Sequence, residues 1–284
     1  MSMRLPDWIR TRHYPDSLHE MKHLLRRHGL STVCEEARCP NKSECFSKPT
    51  AAFMILGSEC TRNCGFCSVT KGTPMPPEAD ETLRVALASK EMALRYVVLT
   101  SPSRDDLPDG GAGHFAGTVR QLRRHLPDAR VEVLTPDFRG SIDSLRTVID
   151  SGPDVFNHNV ETVPRLYPEV RPQADYRRSL SLLKEAKRLS GITTKSGLMV
   201  GLGEGFDEVV DVMRDLRDSG CDMLTIGQYL MPSKRNLPVR EYVQPGVFER
   251  LRDEAGRMGF KYAACSPLVR SSMNAEEVYS HVNV

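Results

Sequence analysis

The stretch "AAFMILGSECTRNCGFC", residues 51–67, sets a short apolar run directly against Cys60, Cys64 and Cys67. The run (51–57) is continuous, short and closed by glycine, which reads as a buried strand followed by a loop. Three thiols cannot close a set of disulfides, and they are one short of a four-ligand metal site. Upstream, "CEEARCPNKSEC" supplies a second triplet, Cys34, Cys39 and Cys45, so that six of the eight cysteines are clustered. Cys221 and Cys265 stand apart and read as small buried hydrophobes.

Beyond residue 67 the chain repeats one rhythm. Strand candidates at 95–101, 130–135, 154–160, 193–201, 221–230 and 260–265 join the first at 51–57. Between them lie apolar stripes at helical spacing: Phe115, Val119, Leu122 and Leu126; Ile142, Leu145 and Ile149; Val209, Val212, Met213 and Leu216, with a stop at Gly220. Strand alternating with helix implies parallel pairing through right-handed crossovers. The expected fold class is α/β, a partial (β/α)6 TIM-type barrel over 51–265. Residues 1–50 and 266–284 form N- and C-terminal extensions, and the proline-rich 73–80 is a linker. In such barrels the chemistry sits at the carboxyl ends of the strands. The loops "SPSRDDLPDGGAG", "NVETVP", "GLGEG" and "QYLMPSKRN" follow those ends.

Composition narrows the partners. With 39 basic and 37 acidic side chains in 284 residues, the net charge of +2 gives no electrostatic footprint for nucleic acid. No apolar stretch reaches the ~20 residues needed to span a bilayer, and the N-terminus has no signal-peptide run, so a cytoplasmic protein without membrane attachment is expected. In a reducing compartment, clustered thiols point to metal binding or catalysis rather than disulfides.

A structural zinc site would want four protein ligands, usually in two separated Cys-x-x-Cys pairs, and neither triplet has that form. Three thiolates suit a 4Fe-4S cluster with one iron left for a non-protein ligand. The Cys-x-x-x-Cys-x-x-Cys spacing after a barrel strand, with aromatic Phe66 before the last cysteine, resembles the radical S-adenosylmethionine (SAM) superfamily. That resemblance implies that the open iron is chelated by the methionine end of SAM. "CEEARCPN" narrows it. Together with "LPDWIRTR", "RDDLPDGGA", "HNVETVPRLYPEVRP", "YRRSL", "TKSGLMVGLGE", "QYLMPS" and "VRSS", the chain closely resembles the lipoyl synthase family.

The resemblance implies two 4Fe-4S clusters. One, on Cys60, Cys64 and Cys67, drives cleavage of SAM to a 5'-deoxyadenosyl radical. The other, auxiliary, on Cys34, Cys39 and Cys45, is the sulfur donor, with Ser271 as its fourth ligand and a catalytic residue. The reaction implied is insertion of two sulfur atoms, at carbons 6 and 8 of a protein-bound octanoyl chain. Implied partners are octanoylated lipoyl carrier domains (H protein or the acyltransferase subunits of 2-oxoacid dehydrogenases), an electron donor such as ferredoxin or flavodoxin, and a cluster-repair protein. Met273 and Asn274 depart from the family's usual residues after the Arg-Ser-Ser motif. The alternative is another sulfur-inserting or methylthiolating radical SAM enzyme.

The remaining polar features admit two readings each. Gly110 and Gly111 open a helix whose amides would face an anion, or fit a tight turn. Gly201 and Gly203 allow close backbone approach to SAM, since Phe206 replaces the glycine that a dinucleotide loop requires. Asn159, Glu161 and Lys195 are expected at strand ends, contacting SAM or forming an ion-pair network at the barrel mouth. Asp105 and Asp106 are either paired acids or loop caps. Arg10, Arg12, Arg26 and Arg27 form a solvated face or a docking patch for an acidic carrier.

Overall fold

The computed structural model describes residues 4–10, 15–46 and 51–282. Seven strands lie side by side in chain order: β1 (Ala52–Met54), β2 (Tyr96–Thr100), β3 (Arg130–Leu134), β4 (Val155–Asn157), β5 (Thr193–Val200), β6 (Met223–Gln228) and β7 (Tyr262–Cys265). Every adjacent pair among them is parallel. The crossovers carry α1 (Glu81–Glu91), α2 (Ala112–His125), α3 (Ile142–Ile149), α4 (Tyr176–Ser190), α5 (Phe206–Asp218) and α6 (Pro245–Arg257). Among the described residues the two ends of the sheet are not hydrogen-bonded to each other, so the barrel is partial. Among the described residues no helix is long and apolar enough to cross a membrane.

The predicted stripes face the sheet. Phe115, Val119 and Leu122 of α2 and Val209, Val212, Met213 and Leu216 of α5 are buried in one core with Val97, Leu99 and Val131. Ile142 is a correction: as the first residue of α3 it is exposed, and Val148 joins Leu145 and Ile149 in the core instead. Local signals set the helix ends. Asp175 and Ser141 accept the amides of Arg178 and Ser144 at the starts of α4 and α3, and Gly220 turns the chain after α5 at φ +80°. Cys221 and Cys265 are buried, as expected.

Both extensions build onto the barrel. Ser31–Thr32 adds an antiparallel edge strand to β1, pairing with Met54 and Phe53, which no strand rhythm in 1–50 signalled. From Ser266 the C-terminal segment lies against the sheet. Val269 packs over Gly227 of β6 and Ser271 over Gly197 of β5, where a Cβ would stand 2.2 Å from the Val269 oxygen and 2.8 Å from the Ser271 Oγ. The terminal helix Ala275–Val282 then buries Val278 against Val155 and Met223, the first residues of β4 and β6. The segment therefore runs from the carboxyl end of the sheet to its amino end, and the two glycines make room for it.

Candidate active site

The Cys60–Cys67 loop leaves the carboxyl end of β1 and is closed by a short parallel ladder, Glu59 with Thr70 and Cys60 with Lys71. Segments from across the barrel clamp it. The Gly65 amide donates to the Val170 carbonyl at 2.9 Å, the Leu237 amide to the Gly65 carbonyl at 3.0 Å, and Asn236 Nδ2 to the Cys67 carbonyl at 2.9 Å. Arg62, buried between Cys60 and Cys64, makes a two-pronged bond to Asp105 (2.7 and 2.8 Å) and a third to Asp137 at 2.5 Å. The Arg62 guanidinium beside Asp137 holds that carboxyl well below the usual range, against the upward push of burial.

The backbone at this end of the barrel is strained. Leu56, Phe138, Arg139 and Glu161 follow β1, β3 and β4 with φ of +67°, +45°, +52° and +67°. Such conformations cost ~1 kcal/mol or more each for a residue with a side chain, and cluster where a site over-determines them. Leu56 is fixed from both sides: its amide donates to Glu81 Oε2 at 2.8 Å, and its carbonyl accepts from Arg104 Nη1 at 2.9 Å.

The two cysteine triplets lie in different surroundings. Two amides, those of Ser103 and Arg62, donate to Cys60 Sγ at 3.3 and 3.4 Å. Burial pushes the Cys67 thiol up to about 12, with Cys64 and Cys60 adding to it, and burial likewise raises Cys64 while Arg171 opposes it. Cys34, Cys39 and Cys45 line one small cavity together with Asn41, Ala52, Arg270, Ser272 and Met273. Burial and the two neighbouring thiols push Cys34 far up. Cys34, Cys64 and Cys67 are thus unfavourable as thiolates until a cation replaces the proton, and thiols grouped in threes have the soft donor chemistry of an iron–sulfur cluster. Asn41 Oδ1 in the same cavity has no partner among the described residues. The two cysteine loops are joined where Ser68 Oγ donates to the Glu36 carbonyl at 3.0 Å.

Among the described residues, some of the buried polar atoms without a protein partner lie on or just after the strands. The side-chain oxygens of Ser101 after β2, Thr135 after β3, Asn157 at the end of β4 and Ser196 in β5 are buried and unpaired. A buried polar atom left so costs ~1–3 kcal/mol; those of Ser101, Thr135 and Asn157 lie at strand ends, where a polar ligand would meet them, whereas Ser196 alternates with Lys195 and Gly197 and faces the helices.

The predicted site residues divide. Asn159 and Glu161 come together in the turn after β4. Burial raises the Glu161 pKa, opposed by Arg171, by Asn159 and by Arg270. Lys195 does not lie at a strand end. It is the third residue of β5, and its ammonium reaches both Glu132 oxygens at 3.1 Å deep in the barrel, in the ion-pair alternative.

The amides of the glycine loop are already used. Gly111 and Gly113 donate to the Asp109 carboxylate at 2.9 and 2.7 Å, and Gly110 to the Leu107 carbonyl at 3.1 Å. Gly110 and Gly111 therefore follow the tight-turn reading. Gly111, at φ +89°, also makes room for Leu56, whose Cδ1 would stand 2.4 Å from an added Cβ. Gly201 backs onto protein: a Cβ there would meet Gln228 Nε2 at 2.2 Å and the Glu241 carbonyl at 2.5 Å, while Gly203 is exposed. Asp105 and Asp106 are not paired acids, since one is neutralised by Arg62 and the other by Arg104. Arg10 pairs with Asp7 and Arg27 with Glu91, Arg26 is exposed, and Arg12 lies outside the described residues.

Ser271 is turned away from the first triplet. Its hydroxyl donates to Asn159 Oδ1 at 3.0 Å and lies 3.3 Å from Thr225 Oγ1, whereas Ser272 lines the cysteine cavity. Residues not singled out from the sequence include Arg62, Arg171, Thr225 and Gly197. Arg171 donates to the carbonyls of Asn159 and Val160 at 3.0 and 3.1 Å and lies 5.4 Å over the Tyr167 ring. Only a cation placed inside a cysteine loop, as in "CTRNC", hinted at Arg62.

His158 braces this turn, with Nδ1 2.9 Å from the Thr135 carbonyl and Nε2 3.0 Å from Ser179 Oγ. Burial, then Arg171, lowers it from 6.5 to about 4, so the ring is neutral, donating from Nδ1 and accepting at Nε2. Between those two pH values the unfolded chain binds a proton that the folded one does not. The stability involved is present above pH 6.5 and is lost as pH falls to about 4, a loss of ~3 kcal/mol. Urea midpoints should therefore fall less steeply on acidification in His158→Gln than in the parent. Equal slopes would mean that the ring is not held neutral.

The model of the Radical SAM superfamily matches residues 54–216. A lipoyl synthase from Caldanaerobacter subterraneus subsp. tengcongensis is 54% identical over 277 residues, 97% of each chain. One from Alkaliphilus metalliredigens is 53% identical over 276 residues, 96% of this chain and 95% of the relative. The chain belongs to the lipoyl synthase family. Coverage this complete leaves neither triplet outside the match and favours lipoyl synthase over another sulfur-inserting radical SAM enzyme. Lipoyl synthase is a radical SAM sulfurtransferase that uses SAM and two 4Fe-4S clusters. Among solved structures, methylornithine synthase aligns at TM-score 0.55 with 13% identity, covering 78% of this chain and 74% of its own, a likeness of fold.

Proposed function

We propose that Cys60, Cys64 and Cys67 hold the cluster that binds SAM, and that Cys34, Cys39 and Cys45, with Ser271, hold the auxiliary cluster that gives up its sulfur. The observation carrying this division is that the two donor sets lie on separate segments, one on the β1 loop closed by its own short ladder, the other lining a small cavity shared with Arg270 and Ser272 of the C-terminal segment. When bound, the clusters and SAM supply the one-electron chemistry and the sulfur that no side chain can provide. This chain's residues do the rest. Arg62, tied to Asp105 and Asp137, fixes the loop that presents the three thiols. Glu161 and the unpaired oxygens of Ser101 and Thr135 offer acceptors to SAM, while Gly110, Gly111, Gly201 and Gly203 shape the loops around it. Arg270 lines the cavity of the first triplet and also acts on Glu161, so one cation serves both regions.

The substrate is an octanoyl arm on a lipoyl carrier domain, and the product carries sulfur at carbons 6 and 8. A ferredoxin- or flavodoxin-type donor, a cluster-repair protein and a cytoplasmic location complete the reading. An anaerobic single-turnover assay with octanoylated carrier peptide, SAM and a strong reductant tests it. The protein should contain about eight irons and eight sulfides per chain, and absence of dihydrolipoyl product would overturn the assignment.

Ser271→Cys probes the ligand. An oxygen ligand lets one iron leave more readily than a soft thiolate does. The cysteine variant should retain iron and release 5'-deoxyadenosine, while dihydrolipoyl product falls at least ~10-fold, or ~1.4 kcal/mol. Full product yield in one turnover would show that the oxygen is not what permits cluster breakdown.

A further inference from the structure

The bond from Ser271 to Asn159 joins two regions that the division of labour keeps apart. Asn159 is partly buried, and its Oδ1 accepts from Ser271 Oγ at 3.0 Å. Its side chain also stands near enough to the Glu161 carboxylate to oppose the burial that raises that group's pKa. Behind Ser271, Thr225 Oγ1 closes the seat at 3.3 Å, and Gly197 forms its floor: an added Cβ would lie 2.4 Å from Thr225 Oγ1, 2.8 Å from Ser271 Oγ and 3.1 Å from Asn159 Oδ1. On the far side of Asn159, Arg171 fixes the backbone by donating to the Asn159 and Val160 carbonyls. Glu161, at φ +67°, contributes to the electrostatic environment of Cys64 and Cys67.

We propose that Asn159 is a positioning residue for the C-terminal serine: with Thr225 and Gly197 it forms a resting seat for the Ser271 hydroxyl and ties that seat to Glu161 beside the other cysteine loop. The proposal rests on the reading of Ser271 as the auxiliary cluster's oxygen ligand. A half-buried hydroxyl released from iron would otherwise lose a partner; the seat gives it one, so release carries no penalty of an unpaired group. The assignment moves Asn159 from the SAM side of the site to the serine side.

The test uses cluster-free, full-length protein and amide hydrogen exchange across residues 266–274, which reports local opening of the segment. Asn159→Leu and Ser271→Ala should each speed exchange about fivefold, the worth of one neutral hydrogen bond, and the double variant should be no faster than either. Asn159→Asp keeps the acceptor for Ser271 but sets a second carboxylate beside Glu161, so it is read in the Glu161→Gln background, where it should restore protection relative to Asn159→Leu. Additive effects in the double variant, or unchanged exchange in Ser271→Ala, would overturn the seat, and the latter decides the matter even where Asn159→Leu does not fold. The cycle is run without iron, so its failure is distinct from failure of the ligand reading, which would appear as unaltered auxiliary-cluster iron in loaded Ser271→Ala.

Discussion

Alanine at Cys60, Cys64 and Cys67 is expected to abolish SAM cleavage, whereas alanine at Cys34, Cys39 and Cys45 is expected to leave 5'-deoxyadenosine formation intact and yield no sulfur-containing product. The physical basis is the separation of the donor sets: one lies in the loop after β1, clamped by Arg62 and the Gly65 amide, the other in the extension against Arg270 and Ser272. Each loss should exceed ~10³-fold, about 4 kcal/mol of transition-state stabilisation. Deoxyadenosine and dihydrolipoyl product are measured in the same anaerobic reactions. Sulfur-containing product from the variant lacking Cys34, Cys39 and Cys45 would end the assignment of that triplet as sulfur donor. Deoxyadenosine formation without Cys60, Cys64 and Cys67 would end the other.

Lys195→Met should unfold much of the stability margin without touching a cysteine. Lys195 and Glu132 are both almost fully buried, with side-chain exposures of 1% and 0%. Glu132 also accepts from Tyr96 Oη at 2.8 Å and Asn157 Nδ2 at 2.7 Å. Burial and the Glu132 charge push the Tyr96 phenol well up, so it stays a donor. Removing the ammonium leaves a carboxylate in the barrel with two neutral donors and no cation, at a cost of ~3–5 kcal/mol. Against a typical total of ~5–15 kcal/mol, that is a large fraction. Urea midpoints of the cluster-free protein at pH 7 measure it. Lys195→Met combined with Glu132→Gln should recover most of the loss, because no charge is then buried alone. A single variant as stable as its parent would show that the pair is not a desolvated ion pair.

Much of this molecule is written locally. The cysteine spacings, the apolar run before Cys60 and the helical stripes of α2 and α5 depend on neighbours within a few residues, and the structure keeps them, save that Leu126 falls just past the end of α2 and is only partly buried. Strand–helix alternation then restricts the topology to parallel neighbours in chain order, which is the sheet observed. Partner choice over long separations is another matter. Lys195 finds Glu132 63 residues away, and Ser271 finds Asn159 112 residues away. No periodicity encodes such pairings. They follow from which strands are adjacent and which side chains the barrel desolvates together.

The same reason explains the glycine loops and the N-terminal extension. "DGGAG" reads equally well as an anion cradle or a turn until Asp109 is seen to take the Gly111 and Gly113 amides. Ser31–Thr32 has no strand signal of its own and becomes one because β1 offers an unpaired edge. Residue types and spacing thus determined the fold class, the two thiol clusters and the family. Only the tertiary structure decided which charges neutralise one another, that Lys195 belongs to the core, and that the Ser271 hydroxyl rests on Asn159, because each of these is settled by burial and by contact between segments far apart in the chain.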